Sequence, residues 1–369
     1  MPIIVTGFVQ GAAGAGSELP PPGSVARSYW RVVQWGLLVA GALLVGLLLL
    51  RPAIGLALMW NVLIPILPAL FVVALGLWRN VCPMATLSLL PRRLGYSRKR
   101  FLSHRWAGIL GLASVAALFL IVPLRHVLLN TNGPMTALML MVASGIAVAM
   151  GFVFDWRSGW CTSLCPIHPV EKLYGFSPPV TVKNMRCDSC GNCTIPCPDS
   201  TRSMTPVITG PSPLNRWAGH GLTGGFVGFI FGWYQLPDFQ GHIGAAEMAA
   251  CYLWPYGCAA VTLAIYAASR KWLCRSKAAH NTLVRVFAAA AVSAYYWYRL
   301  PALAGFGSYP GTGMLYDLTG VLPSWVPVII QMLTTSFFAW FMVLRQRRNA
   351  SWMIRPAFDP LGKAEKNGR

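Results

Sequence analysis

The stretch WAGILGLASVAALFLIVPL, Trp106–Leu124, contains no Asp, Glu, Lys or Arg. A helix needs about 20 predominantly apolar residues to cross a hydrocarbon core about 30 Å thick, so this run reads as a membrane span. Val32–Leu50, Ala53–Trp78, Met135–Phe154, Trp217–Leu236, Met248–Ser269 and Val321–Leu344 share its character. An eighth run, Val286–Tyr298, is short for a crossing. It becomes long enough if its helix starts near His280 and Arg285 snorkels to the interface. Pro65 and Pro68 should kink the second span, which membrane helices tolerate.

Composition agrees. Hydrophobic residues make up 55% of the 369 and charged residues 11%, against about 25% charged in an average soluble chain. Most of such a chain must face lipid. The net charge of +20 would suggest nucleic acid in a soluble protein, but its placement argues otherwise. With eight spans and both termini inside, 27 of the 30 Lys and Arg fall on one side. Arg51, Arg125 and Arg299 fall on the other. The asymmetry is that of the positive-inside rule, and nucleic acid is not an expected partner.

The expected organisation follows. Residues 1–26 form a flexible tail, without the basic and apolar regions of a secretory signal. Residues 27–154 hold four spans, 155–216 a cytoplasmic segment, 217–344 four more spans and 345–369 a basic cytoplasmic tail. The fold class is an all-α polytopic membrane protein of about eight transmembrane helices. Its expected location is a bacterial-type inner membrane, with both termini and the 155–216 segment in the cytoplasm.

That segment carries Cys187-Asp-Ser-Cys190-Gly-Asn-Cys193-Thr-Ile-Pro-Cys197-Pro198. The spacing C-x2-C-x2-C-x3-C-P lets three closely spaced thiolates wrap three irons of a cubane, and Gly191 eases the turn. Structural zinc is the plainer reading, but zinc loops usually take their second ligand pair from farther away. A 4Fe–4S cluster on Cys187, Cys190, Cys193 and Cys197 is therefore expected. Disulfides are not, because the charge count places the loop in a reducing compartment.

Two further motifs lie at span ends: Cys161-Thr-Ser-Leu-Cys165-Pro166 and Trp78-Arg-Asn-Val-Cys82-Pro83. They form a weak internal repeat, in which Trp78 stands where the second copy has Cys161. A structural helix stop is the alternative to a redox role. With the ferredoxin-like loop, these motifs resemble the NapH/NosR/CcoG group of polytopic membrane-bound ferredoxins over roughly Val62 to Arg216. The resemblance implies electron transfer linked to quinol oxidation, as in a quinol dehydrogenase component, or maturation of a respiratory metalloenzyme. The chain departs from that group in two ways. It has one cysteine run where two are typical, and its first Cys-Pro motif has lost a cysteine.

In two-cluster ferredoxins the fourth Cys of a run serves the other cluster. With one run, Cys82, Cys161 and Cys165 become candidate remote ligands. The seven motif cysteines cannot supply two four-thiolate clusters. The alternatives are one cluster with spare thiols, a second cluster using a ligand such as His168, or a loop whose own four cysteines bind one cluster.

Function is thus expected to be electron transfer between a cytoplasm-facing cluster and membrane quinone or a redox protein partner. Lys183 and Arg186 would favour the reduced, more negative cluster. The alternative from another class is an assembly factor that handles metal at the Cys-Pro thiols. His104, His126, His220, His242 and His280 read as scattered core or interfacial residues, and Cys251 and Cys258 as packing residues. Cys274 is a lone thiol.

Overall fold

The structure is a computed structural model. It describes residues 24–100, 102–154, 157–175, 178–180, 182–183, 185–186, 213–241, 243–309, 311–345 and 353–354. Helix α1 (Ser24–Leu50) is followed by a short α2 (Pro52–Leu56), a π-helical stretch Ala57–Leu63, and α3 (Ile64–Val81). Next come α4 (Pro83–Arg93), α5 (His104–Leu124), the π turn Arg125–Leu129 and α6 (Gly133–Val153). A π stretch Arg157–Leu164 leads to the short α7 (His168–Tyr174). The second half holds α8 (Pro213–Trp233), α9 (Ala245–Leu273), α10 (Lys277–Leu303) and α11 (Val326–Ala339), extended by the π turn Trp340–Leu344.

Among the described residues six helical segments are long and apolar enough to cross a membrane: Ser28–Leu50, Pro52–Arg93, Arg105–Leu129, Gly133–Val153, Ala245–Leu273 and Val326–Leu344. Their lipid-competent character shows in side chains that a soluble protein would bury. Leu43, Leu253, Met332 and Leu333 are each at least 65% exposed. Two of the eight expected spans, α8 and α10, have the length but not the apolarity. Helix α10 carries Lys277, Arg285 and Arg299, and begins earlier than His280. Helix α8 is diluted by glycine, and packing explains why. Gly224, Gly228 and Gly232 lie four apart on the face against α9, and a Cβ at Gly224 or Gly232 would meet Tyr266 at 2.8 Å or the Trp254 carbonyl at 2.6 Å. Small residues at this spacing let helix backbones approach closely within a membrane. The Gly228 amide then donates to Thr262 Oγ1 at 3.1 Å.

The long helices run between the same two ends. At one end Gln34 donates to the Asn80 carbonyl, and the Arg98 and Arg100 amides donate to the Phe152 and Val153 carbonyls. His220, Arg270 and His280 meet there too. The two-residue strands β1 (Val182–Lys183) and β2 (Met353–Ile354) pair in parallel, placing the start of the cysteine segment beside the tail. At the opposite end Gly133 abuts Leu48 and Pro52, Trp60 Nε1 donates to the Leu129 carbonyl, and Arg299 donates to the Trp60 carbonyl.

The hydrogen-bond ladder of the second span is interrupted beside Pro65 and Pro68. The Tyr296 hydroxyl accepts from the Ala69 amide at 2.9 Å and donates to the Pro65 carbonyl at 2.7 Å, standing between groups that would bond each other in an undisturbed helix. Further along, Ala74 is non-helical (φ −145°, ψ 52°). The Val73 carbonyl there accepts the Val180 amide at 3.2 Å.

Candidate redox site at the Cys-Pro breaks

Helix α3 ends because Cys82 precedes a proline. Its backbone is extended (φ −50°, ψ 119°), as the ring of the following proline demands. Pro83 then opens α4 at the first helical position, where its missing N–H is harmless. The second copy behaves similarly. The Cys165 amide closes onto the Trp160 carbonyl at 2.9 Å, two residues intervene, and α7 begins at His168.

The two breaks pack together. Cys82, Cys161 and Cys165 belong to one apolar cluster with Met84, Ala85, Leu89, Ala147 and Trp160. The second break also lies deep. Ser114 Oγ donates to the Cys165 carbonyl at 2.7 Å, and Ser114 is ten residues into α5, about 15 Å along its axis. All seven residues of α7 are buried, with Leu173 and Tyr174 against Phe71, Leu75, Phe226 and Val284. The sequence assigns this stretch to a cytoplasmic segment. The structure seats its first part among the helices, where irregular backbone is tolerated because protein surrounds it.

Charge is buried here in an organised way. Glu171 accepts from Trp78 Nε1 at 2.7 Å and from Arg79 Nη1 at 3.1 Å, and His168 Nδ1 lies 3.2 Å from the same carboxylate. Burial opposes ionisation of Glu171, but Arg79, His168 and Trp78 outweigh it and hold its pKa below the usual value. Burial lowers His168 to about 4 and raises Cys165 to about 12. Trp78 thus has a use of its own. Where the second copy has Cys161, the first has an indole that ties the two copies together through Glu171.

Arg186, which directly precedes Cys187, is fully buried. Its Nη2 donates to the Asn80 carbonyl at 2.8 Å, the Cys82 carbonyl at 3.1 Å and Thr86 Oγ1 at 3.1 Å. The Met185 amide adds a bond to Asn80 Oδ1 at 3.1 Å. Burial lowers the Arg186 pKa to about 10. Among the described residues this end buries three cations, Arg79, Lys172 and Arg186, and one carboxylate, Glu171.

Cys187, Cys190, Cys193 and Cys197 lie outside the described residues, as do His242 and the side chains of Lys183 and His104. Among the described residues no three His, Cys, Asp or Glu side chains converge tightly enough to hold a metal ion. Cys82, Cys161 and Cys165 are therefore neighbours rather than a completed ligand set. What does fit an iron–sulfur centre is the setting: soft thiol donors in apolar surroundings beside an excess of buried positive charge. Four thiolates make such a cluster net negative.

The remaining cysteines and histidines are placed elsewhere. Cys251 packs with Val127 and Leu236, and the Cys258 backbone faces Gly228. His126 bonds Asp238 at 2.8 Å and the Trp233 carbonyl at 2.8 Å. His220 and His280 sit 6.2 Å apart between ring centroids, with Arg270 on His220. Sequence reading missed the Trp78–Glu171–Arg79 network. A signal was present in Glu171, one of few acidic residues, lying six positions after a Cys-Pro break.

Fold and composition define a helical membrane protein. No protein-family model matches the chain, and no curated protein or solved structure matches it either.

Proposed function

We propose that this protein is an integral membrane iron–sulfur electron-transfer protein. A 4Fe–4S cluster on the Cys187–Cys197 run would exchange electrons with membrane quinone or a redox protein partner. The observation that carries the reading is the convergence of both Cys-Pro breaks on Arg186, the residue next in sequence to the first cysteine of the run. Anchoring Arg186 under Cys82 tethers the start of the run to the thiol pocket. Cys82, Cys161 or Cys165 can then complete the ligand set if Cys197 does not. When bound, the cluster supplies a one-electron carrier. The chain's own residues do the rest. The buried cations favour an anionic centre, Trp160 and Leu89 keep its surroundings dry, and the Glu171 network fixes α7 against α3.

Eight crossings are part of this proposal, with α8 and α10 as protein-lined spans and the thiol end in the cytoplasm of a bacterial-type cell. Helix direction and the charge count agree: Arg51, Arg125 and Arg299 all belong to the opposite end. Cysteine-accessibility labelling should find Arg93 and Asp188 positions protected from an impermeant outside reagent, and Asn132 and Gly311 positions open to it. The reverse pattern would remove the cytoplasmic electron partner. Cys82→Ser and Cys165→Ser should abolish quinol-linked cluster reduction, while Cys274→Ser leaves it intact. Full reduction in the first two would leave those motifs as structural helix stops. Stoichiometric metal transfer from the Cys-Pro thiols would instead favour the assembly-factor reading.

A further inference from the structure

A cavity of about 1010 Å³ opens at the end of the bundle opposite the thiols, between the start of the second span, the Arg125–Asn132 turn and the 237–243 and 309–313 loops. Two arginines line it. Arg125 and Arg299 are 8% and 5% exposed. Both grip Trp60: the Arg125 guanidinium lies 4.0 Å from the centre of its ring, and Arg299 donates to its carbonyl. The Trp233 ring centre lies 4.8 Å from the same guanidinium. Such stacking holds a guanidinium in place without consuming its hydrogen bonds.

Among the described residues neither arginine is ion-paired. Arg125 gives its Nε to Asn130 Oδ1 at 3.1 Å, and its two terminal nitrogens have no hydrogen bond among the described residues. Arg299 Nη2 reaches Asn61 Oδ1 at 2.6 Å, while its Nε has no partner among the described residues. The one carboxylate lining the cavity, Asp238, is engaged by His126 at 2.8 Å and Asn130 at 2.7 Å. Two buried cations beside an engaged acid leave a net positive recess. Buried charge without a counter-charge is costly, and a forked guanidinium matches the oxygens of phosphate and carboxylate.

We propose that this cavity binds an oxyanion-bearing ligand, a phosphate or carboxylate group held by Arg125 and Arg299. The ligand's source is either the headgroup of an anionic phospholipid, whose chains would leave along the apolar Leu56 and Ile243 side, or a free oxyanion from solution. The site is independent of the cluster and lies at the other end of the molecule.

The test uses the full chain, purified in neutral detergent and delipidated. Phosphatidylglycerol, phosphatidylcholine and inorganic phosphate are titrated separately, with tryptophan fluorescence reporting on Trp60 and Trp233 and native mass spectrometry counting bound lipid. Phosphatidylglycerol should bind at about one per chain, and at least about tenfold more tightly than phosphatidylcholine. Arg125→Gln should weaken it at least about tenfold. Arg51→Gln, at the same end but outside the cavity, should change affinity less than about twofold. Saturable phosphate binding with the same variant pattern would assign a free oxyanion. If Arg125→Gln does not accumulate, Ala53→Trp fills the mouth of the cavity and should block binding equally. Equal binding of both lipids with no phosphate binding, or equal losses in Arg51→Gln and Arg125→Gln, would overturn the site.

Discussion

The two ends of the bundle bury arginine for different reasons. At the thiol end Arg186 is wrapped in backbone carbonyls and a hydroxyl, so it acts as a peg that fixes chain to chain. At the other end the Arg125 guanidinium is held over the Trp60 and Trp233 rings and lines a cavity. Arg186 gives Nη2 to the protein's own backbone and to Thr86, and belongs to architecture. A guanidinium with open donors belongs to recognition. The comparison also separates the two chemistries. Thiols gather in an apolar cluster, whereas the cavity has a polar lining.

The largest effect should come from the cysteine run. Replacing Cys190 with Ala removes the central thiolate of the first three in the run, so iron content and the EPR signal should fall to near background. Membrane insertion should survive, because the long helices pack through apolar clusters of their own. Unchanged iron would detach the thiol end from redox chemistry and erase the contrast between the ends.

A smaller effect is expected in the charge network. Glu171→Gln leaves Arg79 buried without its carboxylate, a loss of about 3–5 kcal/mol. Thermal unfolding in detergent should shift down clearly, and the cluster should become easier to strip. An unchanged midpoint would mean that α7 is held by apolar packing alone. Helix packing ranks next. Gly228→Leu forces a side chain into the Cys258 carbonyl of α9, and overpacking of this kind costs about 1–3 kcal/mol or more. Mild destabilisation with the redox signal intact would show that the second half of the bundle supports the site without shaping it. Cys251→Ala should do least, within about 1 kcal/mol, although Cys251 is fully buried. A redox phenotype there would place chemistry near the cavity end.

Much of the fold was legible because lipid imposes a simple demand. Apolar runs such as Trp106–Leu124 coincide with helices, and even the short run at Val286–Tyr298 lies within a 27-residue helix. Less legible was which helices meet the bilayer. The sparse apolarity of α8 reflects the close approach of Gly224, Gly228 and Gly232 to α9, which is a tertiary fact. The Cys-Pro breaks were readable from local backbone rules, since proline restricts the residue before it. That Cys82 and Cys165 share one pocket was not, because it depends on α7 folding back between α3, α5, α8 and α10. Arg125 and Arg299 misled most. By sequence they mark the ends of spans, as loop charges do. In three dimensions both turn inward onto Trp60.

The central claim is that the thiol end carries an iron–sulfur centre. Anaerobic purification followed by iron and acid-labile sulfide analysis, with an EPR redox titration of the same sample, tests it directly. One cubane cluster should give about four irons and about four sulfides per chain, with a reversible one-electron EPR transition. Zinc without sulfide, or a metal-free chain that still performs its reaction, would contradict it.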